Sequence, residues 1–235
     1  MYLIHNRAIK RTPRALAQAF GCHRVLFPLR RAIPEALRLS RDFFCYYPDP
    51  AGCIHTDDLG DYAVIRAFAE GNKFQQRMLL SAAGLPHPET FGPGAELPAG
   101  HYVQRPLRHM KRIRFEELDL PQGATVPPGH YCSSWVEIKR EYRTLFVRGE
   151  PIATFKKNPL VERRWQLTSL DRLGLLDKLR EFKPLRLASM AGVDLVKTTA
   201  GLALVLEINL APALCPKNME RVTAAFRASQ TQGSR

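Results

Sequence analysis

Three oxygen-bearing side chains, Asp194, Glu207 and Asn209, lie close together within GVDLVKTTAGLALVLEINLAP, the stretch from Gly192 to Pro212. The apolar run Leu202 to Leu206, bounded by Gly201, reads as a buried strand. Glu207 and Asn209 follow it two residues apart and so face the same side of an extended chain. Asp194 opens the preceding strand, Val193 to Val196, and a turn over Lys197 to Gly201 makes a hairpin that carries its carboxylate toward theirs. Two carboxylates and an amide oxygen form a hard-oxygen set suited to Mg²⁺ or Mn²⁺, ions that keep further positions for water and phosphate. A hairpin whose strand ends carry solvated polar residues is the plainer alternative. Asp, Glu and Asn are poor strand formers, however, and three of them converging requires a reason.

GVDLV followed by VLEINLAP resembles the metal-binding end of ATP-grasp carboxylate–amine ligases of the glutathione-synthetase and glutamate-ligase type. Upstream, Asn72-Lys73 opening NKFQQRMLLSAAGLPHPETF resembles that family's "NK…L…AGLPVP.T" helix. YVQRPLRHMKRIRF is similar to its strand with a Lys-Pro or Arg-Pro pair and the phosphate-covering loop that follows. YCSSWVEIKREYRTLFVRGEPIATFKK resembles the hinge strand, the Asp/Glu-x-Arg strand and the strand ending in Lys or Arg. These blocks fall in the family's order over roughly residues 72 to 228. The resemblance implies an α+β ATP-grasp fold, with two α+β subdomains, 71–132 and 133–228, clasping ATP. A small α/β domain over 1–70 resembles a shortened form of the one that precedes this fold, and 229–235 reads as a frayed tail.

The same resemblance implies roles for particular residues. Lys73 and Arg105 meet nucleotide phosphates, Arg105 standing where the family usually has Lys. In the hinge strand Tyr131 to Ile138, Trp135 and Val136 offer backbone groups to adenine, and Glu137 or Lys139 meets the ribose. Arg143 faces the cleft and contacts a phosphate or acyl-phosphate, the alternative being a structural pair with Glu141. Lys156 and Lys157 end the strand Pro151 to Phe155 on opposite sides, so one reaches the triphosphate. Lys156 is assigned there, and the family pattern leaves the choice open. Arg163, Arg164 and Trp165 in the next loop are candidates for the carboxylate or amine substrate, or simply cover an apolar face. After Pro106, where relatives commonly carry several glycines, the chain reads LRHMKRIRF with none. Cationic side chains there, with His109 among them, would have to screen phosphates in place of backbone N–H groups.

Length and composition agree with a cytoplasmic enzyme. The chain has 235 residues, 45% of them hydrophobic, and no apolar run long enough to span a membrane. MYLIHNRAIKR does not read as a secretory signal. Five scattered cysteines show neither zinc nor disulfide spacing and are expected to be reduced and mostly buried. The net charge of +13 attracts anions, nucleic acid included, but it is dispersed and no nucleic-acid-binding motif accompanies it. In the first seventy residues strands are expected over Tyr2 to His5, Arg24 to Phe27 and Asp42 to Tyr47, with helices over Pro13 to Ala19 and Pro34 to Ser40 and a loop from Pro48 to Asp58. Leu170 to Ala191 reads as a helical packing scaffold.

The leading expectation is an ATP-dependent ligase joining a carboxylate to an amine, with peptides or proteins among the candidate substrates and Mg²⁺ or Mn²⁺ as the metal. An ATP-binding regulator without ligase activity is the second reading, prompted by the glycine-free loop. A basic nucleic-acid-associated module is the third. Neither a membrane nor a specific nucleic acid is expected as a partner.

Overall fold

The computed structural model describes residues 2–6, 11–27, 43–46, 68, 72–107, 115–157, 165–210, 212 and 214–232. The expected helix at 34–40, the loop at 48–58, His109 with its basic neighbours, and Arg163 and Arg164 lie outside these residues.

At the amino end β1 (Tyr2–Asn6), α1 (Arg11–Phe20), β2 (His23–Phe27) and β3 (Phe43–Tyr46) follow one another, and the strands form a parallel sheet in the order β2-β1-β3. Parallel neighbours need a crossover, and α1 supplies the one between β1 and β2. Gly21, at φ 63°, ends the helix in the left-handed region that side chains resist. Leu16, Ala17 and Phe20 form the buried stripe of α1. Against it packs α5 (Pro216–Gln232), with Phe20 and Phe226 meeting edge to face at 5.5 Å. Arg227 Nη2 donates to the carbonyls of Ala19 and Phe20, which the end of α1 leaves without helical partners. The expected frayed tail from Ser229 is instead helical through Gln232, and Ser229 Oγ donates to Phe226 O at 2.7 Å.

The helix α2 (Lys73–Ala82) begins where the sequence indicates. Asn72 and Gln75 form a reciprocal capping box, which stabilises exposed N–H groups at the start of the helix. Gly84, at φ 64°, follows its end. Next come β4 (Thr90–Phe91), β5 (Glu96–Leu97), β6 (Gly100–Pro106), β7 (Glu116–Leu120), β8 (Ala124–Thr125) and β9 (His130–Ser134). Four of them form an antiparallel sheet ordered β4-β9-β6-β7, and β5 pairs with β8.

A second antiparallel sheet, ordered β12-β11-β10-β13-β14, contains β10 (Ile138–Val147), β11 (Glu150–Lys157), β12 (Gln166–Thr168), β13 (Ala191–Thr198) and β14 (Ala203–Asn209). Arg148 and Gly149, at φ 49° and 81°, make the two-residue connection of β10 to β11, where positive φ matches the strand twist. Residues 170–191 are not one helical scaffold: Leu176–Glu181 forms α3, Lys183–Leu187 forms α4, and Ala191 already begins β13. Their packing role holds, because Leu176, Leu179, Leu185 and Leu187 join Phe146, Val193 and Val205 in the largest core. The other face of this sheet presents Leu145 and Val147 to Val222 and Phe226 of α5, and Leu3, Leu16 and Phe20 join the same core. The amino-terminal layer is thus welded to the second sheet through α5. Of the thiols whose surroundings are described, Cys132 is buried, Cys22 half-buried and Cys215 exposed.

A side chain at Gly192 would bring its Cβ to 2.8 Å from Pro212 Cβ and 3.2 Å from Pro212 Cγ, so this strand position needs the absence of a side chain. Gly192→Ala is expected to cost about 1–3 kcal/mol of stability through overpacking. A urea midpoint equal to wild type would refute it.

Candidate functional site

The order of side chains along β14 explains why its charged end is useful. Val205 pairs with Leu195 and Ile208 with Val193, all four in the main core. Strict alternation would therefore turn Glu207, two residues after Val205, into that core. The register instead slips between Asp194 and Leu195, leaving Leu206 as an extra residue on β14. This bulge rotates Glu207 to the opposite face, directly across from Asp194. Asn209 shares that face two residues farther on, opposite Gly192.

Each carboxylate meets a cation. Arg143 Nε and Nη2 donate to Asp194 Oδ1 and Oδ2 at 2.6 and 2.8 Å, a two-bonded fork. Hydrogen bonding to Asp194 raises the Arg143 pKa above its ordinary value, outweighing desolvation. The alternative pairing of Arg143 with Glu141 is not the one formed, since Glu141 binds Lys157 Nζ at 2.5 Å. Lys73 Nζ, from the first turn of α2, lies 2.5 Å from Glu207 Oε1. Trp165 is flanked by Arg143 at 5.4 Å and Lys157 at 5.0 Å from its ring centre.

The register of β10 with β11 chooses between the two lysines. Lys157 stands opposite Glu141 and lines a charged cavity of about 330 Å³ with Arg143, Trp165, Asp194 and Glu207. Lys156 stands opposite Tyr142, whose side chain belongs to the main core, so alternation turns Lys156 to the other face. Of the two, Lys157 is the lysine that lines the charged cavity, where the sequence assigned Lys156.

The hinge is not one continuous strand: β9 stops at Ser134 and β10 starts at Ile138. Trp135, Val136 and Glu137 cross from one sheet to the other. The N–H of Trp135 donates to His101 O, so that amide is spent within the protein, while the residue is 42% exposed and its ring meets His101 edge-on at 5.0 Å. Glu137 O accepts from Thr199 N, and Glu137 Oε2 accepts from Thr199 Oγ1 at 2.8 Å. Among the described residues the amide and carbonyl of Val136 have no backbone partner. Trp135, Val136, Glu137 and Lys139 line an open, largely apolar cleft of about 550 Å³, whose far side is formed by Val103 and Leu206.

Arg105, at the end of β6, projects into this cleft, into the charged cavity and into a smaller hollow of about 100 Å³ beside Lys73 and Glu207. Arg77 lines the same three spaces. The sequence reading missed Arg77, although it sits four residues after Lys73, on the helical face they share, and three before the buried Leu80. An arginine on a buried helical stripe was the available signal.

No protein-family model matches the sequence, and no curated protein matches it. Comparison with solved structures is decisive for the fold. The chain superposes on the ATP-grasp ligase PsnB in complex with precursor peptide PsnA2 and AMPPNP, with a TM-score of 0.64 at 12% identity, over 97% of this chain and 96% of that one. The fold is that of the ATP-grasp ligases. D-cycloserine synthetase DcsG matches with a TM-score of 0.59 at 14% identity, over 97% of this chain and 99% of that one. The macrocyclase MdnC from Microcystis aeruginosa, bound with precursor peptide MdnA, gives 0.58 at 12%, over 97% and 100%. The α+β ATP-grasp architecture expected from the sequence is therefore the one observed.

Among the described residues no group of three or more His, Cys, Asp or Glu has metal-binding geometry. What the site offers is two carboxylates on directly paired strand positions with an amide on the same face, a set of hard oxygens that fits a divalent ion retaining other ligands. Mn²⁺ added to the full chain is expected to broaden the NMR signals of Asp194, Glu207 and Lys73 before others, with Glu207→Gln weakening Mn²⁺ binding about tenfold or more, the scale of losing one charged ligand. Equal Mn²⁺ affinity in Glu207→Gln and wild type would remove the site.

Proposed function

We propose that this chain is an ATP-dependent ligase that joins a carboxylate to an amine through an acyl-phosphate. The observation that carries this reading is the continuity of an apolar cleft at the hinge with a charged cavity holding paired carboxylates, Arg77, Arg105 and Leu206 bordering both. The ligase fold of the neighbours adds support, and one PsnB structure contains a minimal precursor with Mg and ADP.

In this reading adenine enters the cleft between Leu206 and the hinge, and Val136 supplies the backbone N–H and carbonyl that read its edge. Trp135 contributes its exposed ring rather than its amide, and Glu137 or Lys139 meets the ribose. Lys73 and Arg105 bind phosphates, and Asp194, Glu207 and Asn209 hold Mg²⁺ or Mn²⁺. When bound, the metal neutralises phosphate charge.

Arg143 and Lys157 lie at the far end of the charged cavity, beside Trp165, where the γ-phosphoryl group and the substrate carboxylate would meet. A carboxylate oxygen attacks the γ-phosphorus, the bond to the β,γ-bridging oxygen breaks, and ADP leaves. The amine then adds to the acyl carbon, phosphate departs, and the nitrogen loses a proton to give the amide. Fixed cations favour the transfer because they need no reorganisation as charge moves from substrate to leaving group. A peptide or protein is a candidate source of the carboxylate, on the pattern of the neighbours crystallised with precursor peptides. Residues 1–70 are assigned to a small α/β domain that precedes the 71–132 and 133–228 subdomains in the chain. No helix among the described residues is long and apolar enough to cross a membrane, and we assign the chain to the cytoplasm.

ATP with a matching carboxylate and amine is expected to yield ADP, phosphate and amide in equal amounts, with hydroxylamine trapping the activated acyl group as a hydroxamate. Arg143→Met is expected to lower kcat about tenfold to a hundredfold, from the loss of one charged hydrogen-bonding group to the transferring phosphoryl. Tight Mg-ATP binding without ADP release across a broad substrate screen would favour the regulator, to which the glycine-free segment after Pro106 also points.

A further inference from the structure

Among the described residues Arg77 is the cation of the cleft that the assignments above leave without a role. Its residue is only 6% exposed, and Nη1 donates to Val205 O at 3.0 Å. That bond uses one of five guanidinium N–H groups, and it is the hydrogen bond Arg77 makes among the described residues. No carboxylate among them pairs with it: Glu207 is held by Lys73, and the neighbouring Arg105 has the same charge. Burial lowers the Arg77 pKa to about 10, Arg105 adding to the effect and Tyr131 and Glu207 opposing it, so the group stays cationic at neutral pH. A buried cation without a counter-ion is costly, and that cost is recovered when an anion arrives.

Position names the anion. Arg77 borders the apolar hinge cleft, the charged cavity of Asp194 and Arg143, and the small hollow beside Lys73. A nucleotide with its base in the first and its terminal phosphate in the second must pass its phosphate chain across this junction. The stretch from Leu107 to Phe115 contains no glycine, so a cradle of small-residue backbone N–H groups is not encoded there. A rigid helix can supply the missing donors from the other side. Asn72 and Gln75 lock the start of α2, and Arg77 follows one turn after Lys73 on the same face.

We propose that Arg77 binds the polyphosphate chain of the nucleotide, its free N–H groups taking the place of a glycine-rich phosphate loop. This rests on the nucleotide reading above and adds a binding residue to it. The role differs from a structural tie because it requires discrimination between ligands with and without phosphate.

The test is calorimetric titration of the full chain and its Arg77→Met and Arg77→Lys variants with Mg-ATP and with adenosine. Arg77→Met is expected to bind Mg-ATP about tenfold to a hundredfold more weakly, the scale of losing one charged hydrogen-bonding group, with adenosine affinity kept within about twofold and Arg77→Lys recovering most of the loss. Because Arg77→Met also removes the tie to Val205 that helps hold α2, the wild-type side chain is followed directly as well. The ¹⁵Nε–H resonance of Arg77 should shift on adding tripolyphosphate and stay in place with adenosine. Unchanged Mg-ATP affinity in Arg77→Met, equal loss for Mg-ATP and adenosine, or an Arg77 resonance indifferent to tripolyphosphate each overturns the proposal. In those cases wild type still binds Mg-ATP and the nucleotide reading survives. Wild type that binds neither Mg-ATP nor adenosine overturns both.

Discussion

Between Asp194 and Leu195 the pairing of β13 with β14 slips by one residue, and that slip decides which face of the second sheet carries charge. Val205 and Ile208 both belong to the main core although they are three residues apart, a spacing that only a bulge reconciles with strand geometry. Leu206 absorbs the irregularity and lines the cleft, while Glu207 emerges opposite Asp194. Apolar and acidic walls of the cleft therefore come from consecutive residues of one strand. A regular strand would have buried Glu207 beside Val193, at the cost of an ionised group in an apolar core.

Charge within the cleft is balanced by geometry more than by number. Asp194 and Glu207 are gripped by Arg143 and Lys73, and Glu141 by Lys157, so three carboxylates and three cations form pairs drawn from α2, β10, β11, β13 and β14. Each pair is partly exposed and its value for stability is small. Its value for function lies in fixing direction, since two-bonded Arg143 cannot rotate freely and Lys73 is held by the helix that also carries Arg77. The surplus cations of the cleft, Arg77 and Arg105, meet no carboxylate among the described residues, which leaves the junction of its three spaces electropositive.

The framework around the cleft is held from two sides. Helices α3 and α4 bury leucines against one face of the second sheet, and α5 covers the other while gripping α1 through Phe226 and Arg227. The first sheet meets the second through the three-residue crossing at Trp135 to Glu137. Two bonds from Thr199 to Glu137 tie that crossing to the β13–β14 turn, so the hinge and the acidic strand end are linked through one hairpin.

By itself the sequence determined the elements whose cause is local. The start of α2 at Asn72-Lys73, the short strands and first helix of the amino end and the turn signal at Gly201 each act over a few residues, and the structure keeps them within a residue or two. Fold class was legible for a related reason, because the four blocks occur in order and each states its own chemistry. Lys157 instead of Lys156, the break of the hinge into two strands, the helical run past Ser229 and the role of Leu206 were decided only by tertiary structure. Each depends on what lies across a sheet or beneath a helix: Tyr142 opposite Lys156, His101 opposite Trp135, Arg148 beside Ser229, and Asp194 opposite Glu207. Arg77 was hidden for the same reason. Four-residue spacing places it beside Lys73, but only the packing of α2 against β14 buries it and leaves its remaining donors facing the cleft.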